Sequence, residues 1–411
     1  MKRRDFLRGA VAASAGFASG CIPVSFEQGL FSECRTGIVG AEAKALVQAA
    51  WQGLRVDRVW DVHAHILGNG RSGSGIWIDP DLDRPQSIIG RARHAFFRNA
   101  ACIGDDDERM DQGMVERLVQ LAGTLPAGAK IILLAFDFAY DETGRRRDDH
   151  TTFAVPDAYA RRIAAAHPAR FEWIASIHPY RADAAEALAA AKLGGARAVK
   201  WLPPAMGIDL RTKRAGSFYE GLRKHDMPLL VHVGDEQAVP GARRDDLGNP
   251  LFLRHPLDAG VRVIAAHCAT LGRSADLDVA TSAEKAPTVS NLDLFARLMN
   301  DRRYEKLLFG DISAVTQSNR LEHLPAIIAR REWHPRLLNG SDYPLPGMMP
   351  LFSLKDMVSR GILDERLIPP LRELRESNAL AFDFALKRNL KVGGAGFPAS
   401  VFETRGFFER V

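Results

Sequence analysis

Two histidines two residues apart, His63 and His65, sit at the end of the apolar run VDRVWDVHAHI (Val56 to Ile66). On a strand, residues i and i+2 share a face. Their neighbours Val62, Ala64 and Ile66 are then expected on the opposite side, toward covering helices. Side-by-side imidazoles turned into a protein interior need polar partners, and a metal ion is one such partner. His232 in LVHVGDE, His267 in IAAHC and Asp342 in NGSDYP end three further runs in the same manner. Alone, an HxH pair is a weak signal, and an Asp after Asn339-Gly340-Ser341 could simply cap a loop. Together these residues suit a Zn2+ ion, with a coordination position left open for water. His178, in IHP, is a candidate substrate contact or a strand-end structural histidine.

The elements that must position these groups are legible as eight short β-rich runs. They start at Val56, Lys130, Phe171, Ala196, Pro228, Val261, Lys306 and Pro335, and alternate with helical patterns. The helices are clearest at Asp157 to Ala166, Ala182 to Leu193 and Leu292 to Asn300, with a long terminal helix expected from about Pro370 to Arg388. Strand and helix repeated eight times predict an α/β fold, the (β/α)8 TIM barrel, whose active sites lie at the strand C-termini. A doubly wound open sheet is the competing fold, weakened by the absence of a GxGxxG turn after any strand. The expected organisation is 1–21 export signal, 22–55 linker and helix, 56–390 barrel and 391–411 tail. The first strand-to-helix connection, Leu67 to about Gly128, is a long insertion that opens flexibly at Gly68 to Gly75 and carries Arg71, Arg91, Arg93 and His94. Such loops form lids and substrate walls.

Taken together, VHAH (Val62 to His65), LVHVGDE (Leu230 to Glu236), IAAHC (Ile264 to Cys268) and NGSDYP resemble the amidohydrolase superfamily. The resemblance spans roughly Val56 to Arg388, and is closest to the branch with aminocarboxymuconate semialdehyde decarboxylase-like enzymes and lactone hydrolases. It implies His63, His65 and His232 as metal ligands. His267 would be a ligand of a second ion or a catalytic histidine that stabilises an oxyanion, and Asp342 both ligand and proton shuttle. Lys200, at the end of the fourth strand, would be a carboxylated bridging ligand, a substrate contact or a structural lysine. Glu236 and Asp311 are expected to support the ligands by hydrogen bonding, and Lys200, His178 and Arg71 to meet substrate.

The N-terminus reads as an address. MKRRDFLRGAVAASAGFASGC has twin arginines, Arg3 and Arg4, before an Ala/Gly-rich run, the layout of a twin-arginine export signal. Cys21 after Ala18-Ser19-Gly20 is either lipidated, giving membrane attachment, or lies near a simple cleavage site. Periplasmic or lipid-anchored placement at the cell envelope follows. Lys2, Arg3, Arg4 and Arg8 against Asp5 supply +3 of the +5 formal charge, so nucleic-acid binding is disfavoured. Arg145 to Asp149 and the Arg243-Arg244 pair read as solvated loops. Cys34, Cys102 and Cys268 show no paired spacing, and no disulfide framework is expected. Cys268 reads as a small buried hydrophobe.

The leading functional expectation is an enzyme, a metal-dependent hydrolase of a C–N or C–O bond in a small, anion-compatible amide, lactone or ester. Non-oxidative decarboxylation on the same site is the alternative, and a non-catalytic exported binding lipoprotein the third reading. A homo-oligomer is compatible with the sequence.

Overall fold

Eight short parallel strands carry the architecture: β1 Trp60–His65, β2 Lys130–Leu134, β3 Phe171–Ile174, β4 Val199–Trp201, β5 Leu229–Val231, β6 Val263–Ala265, β7 Leu308–Asp311 and β8 Leu337–Leu338. Each lies inside one of the runs read from the sequence. The structure is a computed structural model that describes residues 25, 27–38, 40–104, 106–239, 241–279 and 285–409. The export segment and Cys21 lie outside the described residues. Among the described residues, no helix is long and apolar enough to cross a membrane.

Regular ladders join β1–β2–β3 and β4–β5–β6–β7–β8. Two seams close the ring. At one, the Ala175 N–H donates to Ala198 O at 3.0 Å and the Lys200 N–H to Ala175 O at 2.7 Å. At the other, the Val62 N–H donates to Asn339 O at 3.1 Å and the His65 N–H to Tyr343 O at 2.8 Å. A closed parallel ring with helices outside is the (β/α)8 barrel.

Alternate residues sort into two apolar layers, as a period of two requires. Ile132, Leu134, Ile174, Ala198, Leu230, Ile264 and Leu338 fill the barrel interior. Ile131, Leu133, Val199, Trp201, Leu229, Val231 and Val263 pack outward under the helices. The inward parity of Ala198 and Leu230 carries on to Lys200 and His232, which puts both at the mouth. β1 departs from this rule. Trp60 and Val62 belong to the interior layer, whereas Ala64 and Ile66 belong to the outer one. Pairing with β2 slips between Asp61 and Ala64. Val62 therefore does not face the helices as expected, because this β-bulge lets Val62 fill the interior and still aims His63 and His65 at the mouth. A Cβ on Gly340 would fall 2.7 Å from that of His63, so a glycine there lets the chain after β8 pass close to β1.

The C-terminal residues seal the bottom of the barrel. Phe407 and Phe408 pack against the interior layer, and Arg262 Nη1 donates to Phe407 O at 2.6 Å. The expected long terminal helix is two helices, Ile368–Ser377 and Ala379–Asn389. Asn378 breaks it with φ −150° and ψ 96°, and its side chain accepts from the Ala381 N–H to cap the second helix. That second helix reaches the site: Lys387 Nζ donates to Gly340 O and to Asp383, both at 2.7 Å, inside the protein.

The long insertion is folded. Its opening Gly68 to Gly75, expected to be flexible, wraps the buried Asp111. The Asp111 carboxylate accepts from the Asn69 N–H at 2.7 Å and from Ser74 Oγ at 2.6 Å. Beyond it, Trp77–Ile78 pairs antiparallel with Phe153–Ala154, and helix Ile88–Ala100 lies over the barrel mouth. Cys34 and Cys102 form a disulfide, S–S 2.18 Å, that ties the N-terminal segment to the end of this helix. The expectation of no disulfide is corrected here: 68 residues separate the two cysteines, and only the folded lid brings them together.

Candidate metal centre

Three ligand-type atoms meet at the mouth. His63 Nε2 and His65 Nε2 are 3.2 Å apart, and Asp342 Oδ1 lies 3.5 Å from the first and 3.2 Å from the second. His63 is fully buried and Asp342 almost so. His63, His267 and Asp311 form a second, overlapping group. Both groups open on a cavity of about 220 Å³ at the C-terminal ends of the strands.

The backbone is held in costly conformations here. His267, Cys268 and Ala269 have φ of 56°, 49° and 52°, and Asp342 has φ of 60°. Non-glycine residues adopt this left-handed region only where the surroundings over-determine it, which is typical of functional sites. The determinants are visible: the His267 N–H donates to Asp311 Oδ1 at 2.8 Å, and the Asp342 N–H to His63 O at 2.8 Å. Asp61 adds a tie between β1 and β8, accepting from the Ser341 N–H at 2.8 Å and the His63 N–H at 3.1 Å.

Hydrogen bonding fixes the tautomers. Asp311, at the end of β7 and fully buried, accepts from His63 Nδ1 at 2.9 Å and from the Ser313 N–H at 3.0 Å, and also from Ser313 Oγ. Burial alone would raise its carboxyl, but the His63 and His267 rings and Ser313 outweigh burial and hold it well below the usual carboxylate range. His63 thus carries its proton on Nδ1 and turns the lone pair of Nε2 toward Asp342. His267 Nδ1 faces Ser313 Oγ at 2.8 Å and Ser313 O at 3.2 Å. A carbonyl only accepts, so Nδ1 is the donor and Nε2 again bears the lone pair. Burial depresses both rings, His267 strongly, so they are neutral. With its proton on Nδ1, a neutral His267 offers Nε2 as a ligand or a base.

These donors fit a divalent cation. Imidazole nitrogens and a carboxylate converge, and the His63 and His267 rings are oriented from behind by Asp311 and Ser313, as metal-binding imidazoles require. His63, His65 and Asp342 would hold the ion, with His267 beside them.

His232 lines the same cavity, and its ring centroid is 5.3 Å from that of His267. It joins neither group of converging atoms. Its Nε2 faces Asp235 O at 3.2 Å and Glu236 Oε2 at 3.4 Å, and burial lowers its pKa to about 4. Glu236, expected as a supporting residue, is itself in the cavity wall. Lys200 is buried in the wall, and burial lowers its pKa.

Two expected substrate contacts lie elsewhere. His178 is fully buried away from the cavity, with Nε2 donating to Met206 O at 3.0 Å and Nδ1 accepting from the Tyr180 N–H at 3.1 Å. Both ring nitrogens are used in structure, and burial lowers its pKa to about 3. Arg71 also stays out of the cavity wall. It pairs with Asp83, and with Asp107 at 3.3 Å, pinning the insertion. Arg244 pairs with Asp246 at 2.8 Å on the surface.

Sequence reasoning missed Ser313, Asp61, Gln317 and Arg320. Ser313 follows Asp311 by two residues, a D-x-S pattern at a strand end that hinted at a shared hydrogen bond. Asp61 stands just before the histidine pair. Gln317 and Arg320, in the loop after β7, carried no signal, since polar residues in a loop read as solvated.

The sequence model of the family described as Amidohydrolase matches residues 60–350. No curated protein matches the chain. Among solved structures, an uncharacterized TIM-barrel protein from Bordetella bronchiseptica is 14% identical with a TM-score of 0.44, over 79% of this chain and 99% of that one. A 5-carboxyvanillate decarboxylase from Novosphingobium aromaticivorans with bound manganese is 11% identical with a TM-score of 0.41, over 94% and 99%. An amidohydrolase from Burkholderia multivorans with bound zinc is 16% identical with a TM-score of 0.38, over 74% and 89%.

Proposed function

Because this chain belongs to the amidohydrolase family, we propose that it is a metal-dependent hydrolase that cleaves an amide, lactone or ester bond in a small molecule. The observation that carries this reading is the convergence of His63 Nε2, His65 Nε2 and Asp342 Oδ1 at the cavity floor, with His63 held from behind by Asp311. A divalent ion bound there would supply Lewis acidity that polarises a carbonyl and acidifies a water.

The chain's own residues do the rest. Asp342 is the proton acceptor, its carboxylate facing His63 Nε2 and His65 Nε2 in the cavity. A carboxylate so placed takes a proton from the attacking water and returns it to the leaving group. Leu82 and Phe97 of the insertion and Val239 from the loop after β5 add apolar surface to the cavity wall, beside which charges interact more strongly than in water. Lys200 faces the same space and serves as a substrate contact.

We place the enzyme in an oxidising compartment. The Cys34–Cys102 disulfide supports this, as do the twin arginines at Arg3 and Arg4.

The test is a substrate panel under one set of conditions: 4-nitrophenyl acetate, five- and six-membered lactones, N-acyl amides and hydroxybenzoates. Ring opening or acid release from the first three, without CO2 release from the fourth, is the expected result. CO2 release alone would overturn hydrolysis in favour of decarboxylation.

A further inference from the structure

The helix Ala379–Asn389 carries a lysine into the protein beside β1 and β8. Lys387 is fully buried, and its Nζ donates to Gly340 O and to Asp383 Oδ2, both at 2.7 Å. Asp383, one turn earlier on the same helix face, is buried as well. Its other carboxylate oxygen, Oδ1, is buried without a partner, so holding Lys387 is what this side chain does. From the opposite side, Asp61 Oδ1 accepts from the Ser341 N–H at 2.8 Å. Gly340 O and the Ser341 N–H are the two ends of one planar peptide group. A lysine therefore grips its carbonyl and an aspartate its N–H.

Turned over, this peptide would set its carbonyl against the Asp61 oxygen and its N–H against Lys387 Nζ, acceptor on acceptor and donor on donor. Only one orientation satisfies both side chains. The next residue, Asp342, has φ of 60°, and its N–H donates to His63 O at 2.8 Å. Residues 340, 341 and 342 are thus tied in turn to Lys387, Asp61 and His63. The last of them faces His63 Nε2 at 3.5 Å and His65 Nε2 at 3.2 Å. Stability gives little reason for the lysine, because replacing a buried ion pair by apolar residues of similar volume is often neutral or better.

We propose that Lys387, held by Asp383, is a positioning residue of the metal centre: with Asp61 it locks the Gly340–Ser341 peptide and so presents the Asp342 carboxylate to His63 and His65. Lys387 is not in the cavity wall and acts through the backbone of Gly340. This rests on the reading of His63, His65 and Asp342 as a metal site.

The test compares the unmodified protein with the double variant Asp383→Leu, Lys387→Met, which removes the pair without stranding a buried charge and is expected to fold. Both are titrated with Co2+, whose visible spectrum reports coordination geometry, beside a thermal melt. The folded double variant is expected to bind Co2+ about 10-fold more weakly, as for loss of a group that orients a ligand, and with an altered spectrum. A folded double variant with the parent's affinity and spectrum, even one that melts lower, would overturn the proposal and leave Lys387 a purely structural residue. Crystal structures of both proteins without metal give the second readout. A displaced Gly340–Ser341 peptide or Asp342 side chain in the variant is expected, and an unchanged loop would contradict the proposal. An unmodified protein that takes up no Co2+ would refute the metal reading, and the two crystal structures then decide the role of Lys387 by themselves. Should the double variant fail to fold, Asp383→Asn, which keeps the size and removes the charge that holds Lys387, is read in the same way.

Discussion

Asp342→Asn is expected to lower kcat/KM by about 1,000-fold on whichever substrate the enzyme accepts. A positioned proton-transfer group contributes roughly 100- to 10,000-fold, and here the same carboxylate faces both His63 Nε2 and His65 Nε2. The substitution removes the charge and keeps the shape. Backbone hydrogen bonds that hold position 342 do not involve the side chain: its N–H donates to His63 O, and its carbonyl accepts from the Leu345 N–H. Asparagine also tolerates the left-handed φ of 60° better than most residues. Folding should therefore be close to unchanged, and steady-state kinetics beside a thermal melt separate the two effects. A variant within 10-fold of the parent would show that Asp342 is not the proton acceptor.

Asp311→Asn is expected to lower metal affinity by about 10- to 100-fold and to destabilise the fold by about 3 kcal/mol. Asp311 is fully buried, and its carboxylate receives His63 Nδ1–H, the His267 N–H and two donors from Ser313. An amide oxygen can keep some of these, but the amide NH2 would then meet donors, and the anion that orients His63 is lost. Metal-competition titration and urea unfolding of the same preparation measure the two losses. Unchanged metal affinity would mean that His63 needs no orientation from behind.

The barrel was legible because it rests on local periodicity. Each strand is a short β-rich apolar run, and the groups at the mouth follow directly on those runs, as in Val231-His232, Ala266-His267 and the stretch from Leu338 to Asp342. Where the expectation failed, a non-local or single-residue feature intervened. The β1 bulge is invisible in WDVHAHI because a bulge is defined by what the neighbouring strand does. Cys34 and Cys102 meet only once the insertion has folded over the mouth. Asn378 breaks a pattern that remains helical on both sides, and its reason is a cap to Ala381. His178 stands at a strand end like the others, and only the Met206 carbonyl and the Tyr180 N–H reveal that its ring serves structure. Arg320 and Gln317 lie in a loop, where nothing in the sequence tells a buried polar side chain from a solvated one.

The central claim, that the histidine–aspartate cluster is a metal centre, is tested most directly by metal content per chain. Protein purified without chelators or metal-binding tags is analysed by elemental mass spectrometry, beside a His63→Ala, Asp342→Ala double variant. About one equivalent of a divalent metal, zinc foremost, in the parent and almost none in the variant is the expected result. Folded parent protein that repeatedly carries no metal, and that takes up none when it is offered, would contradict it.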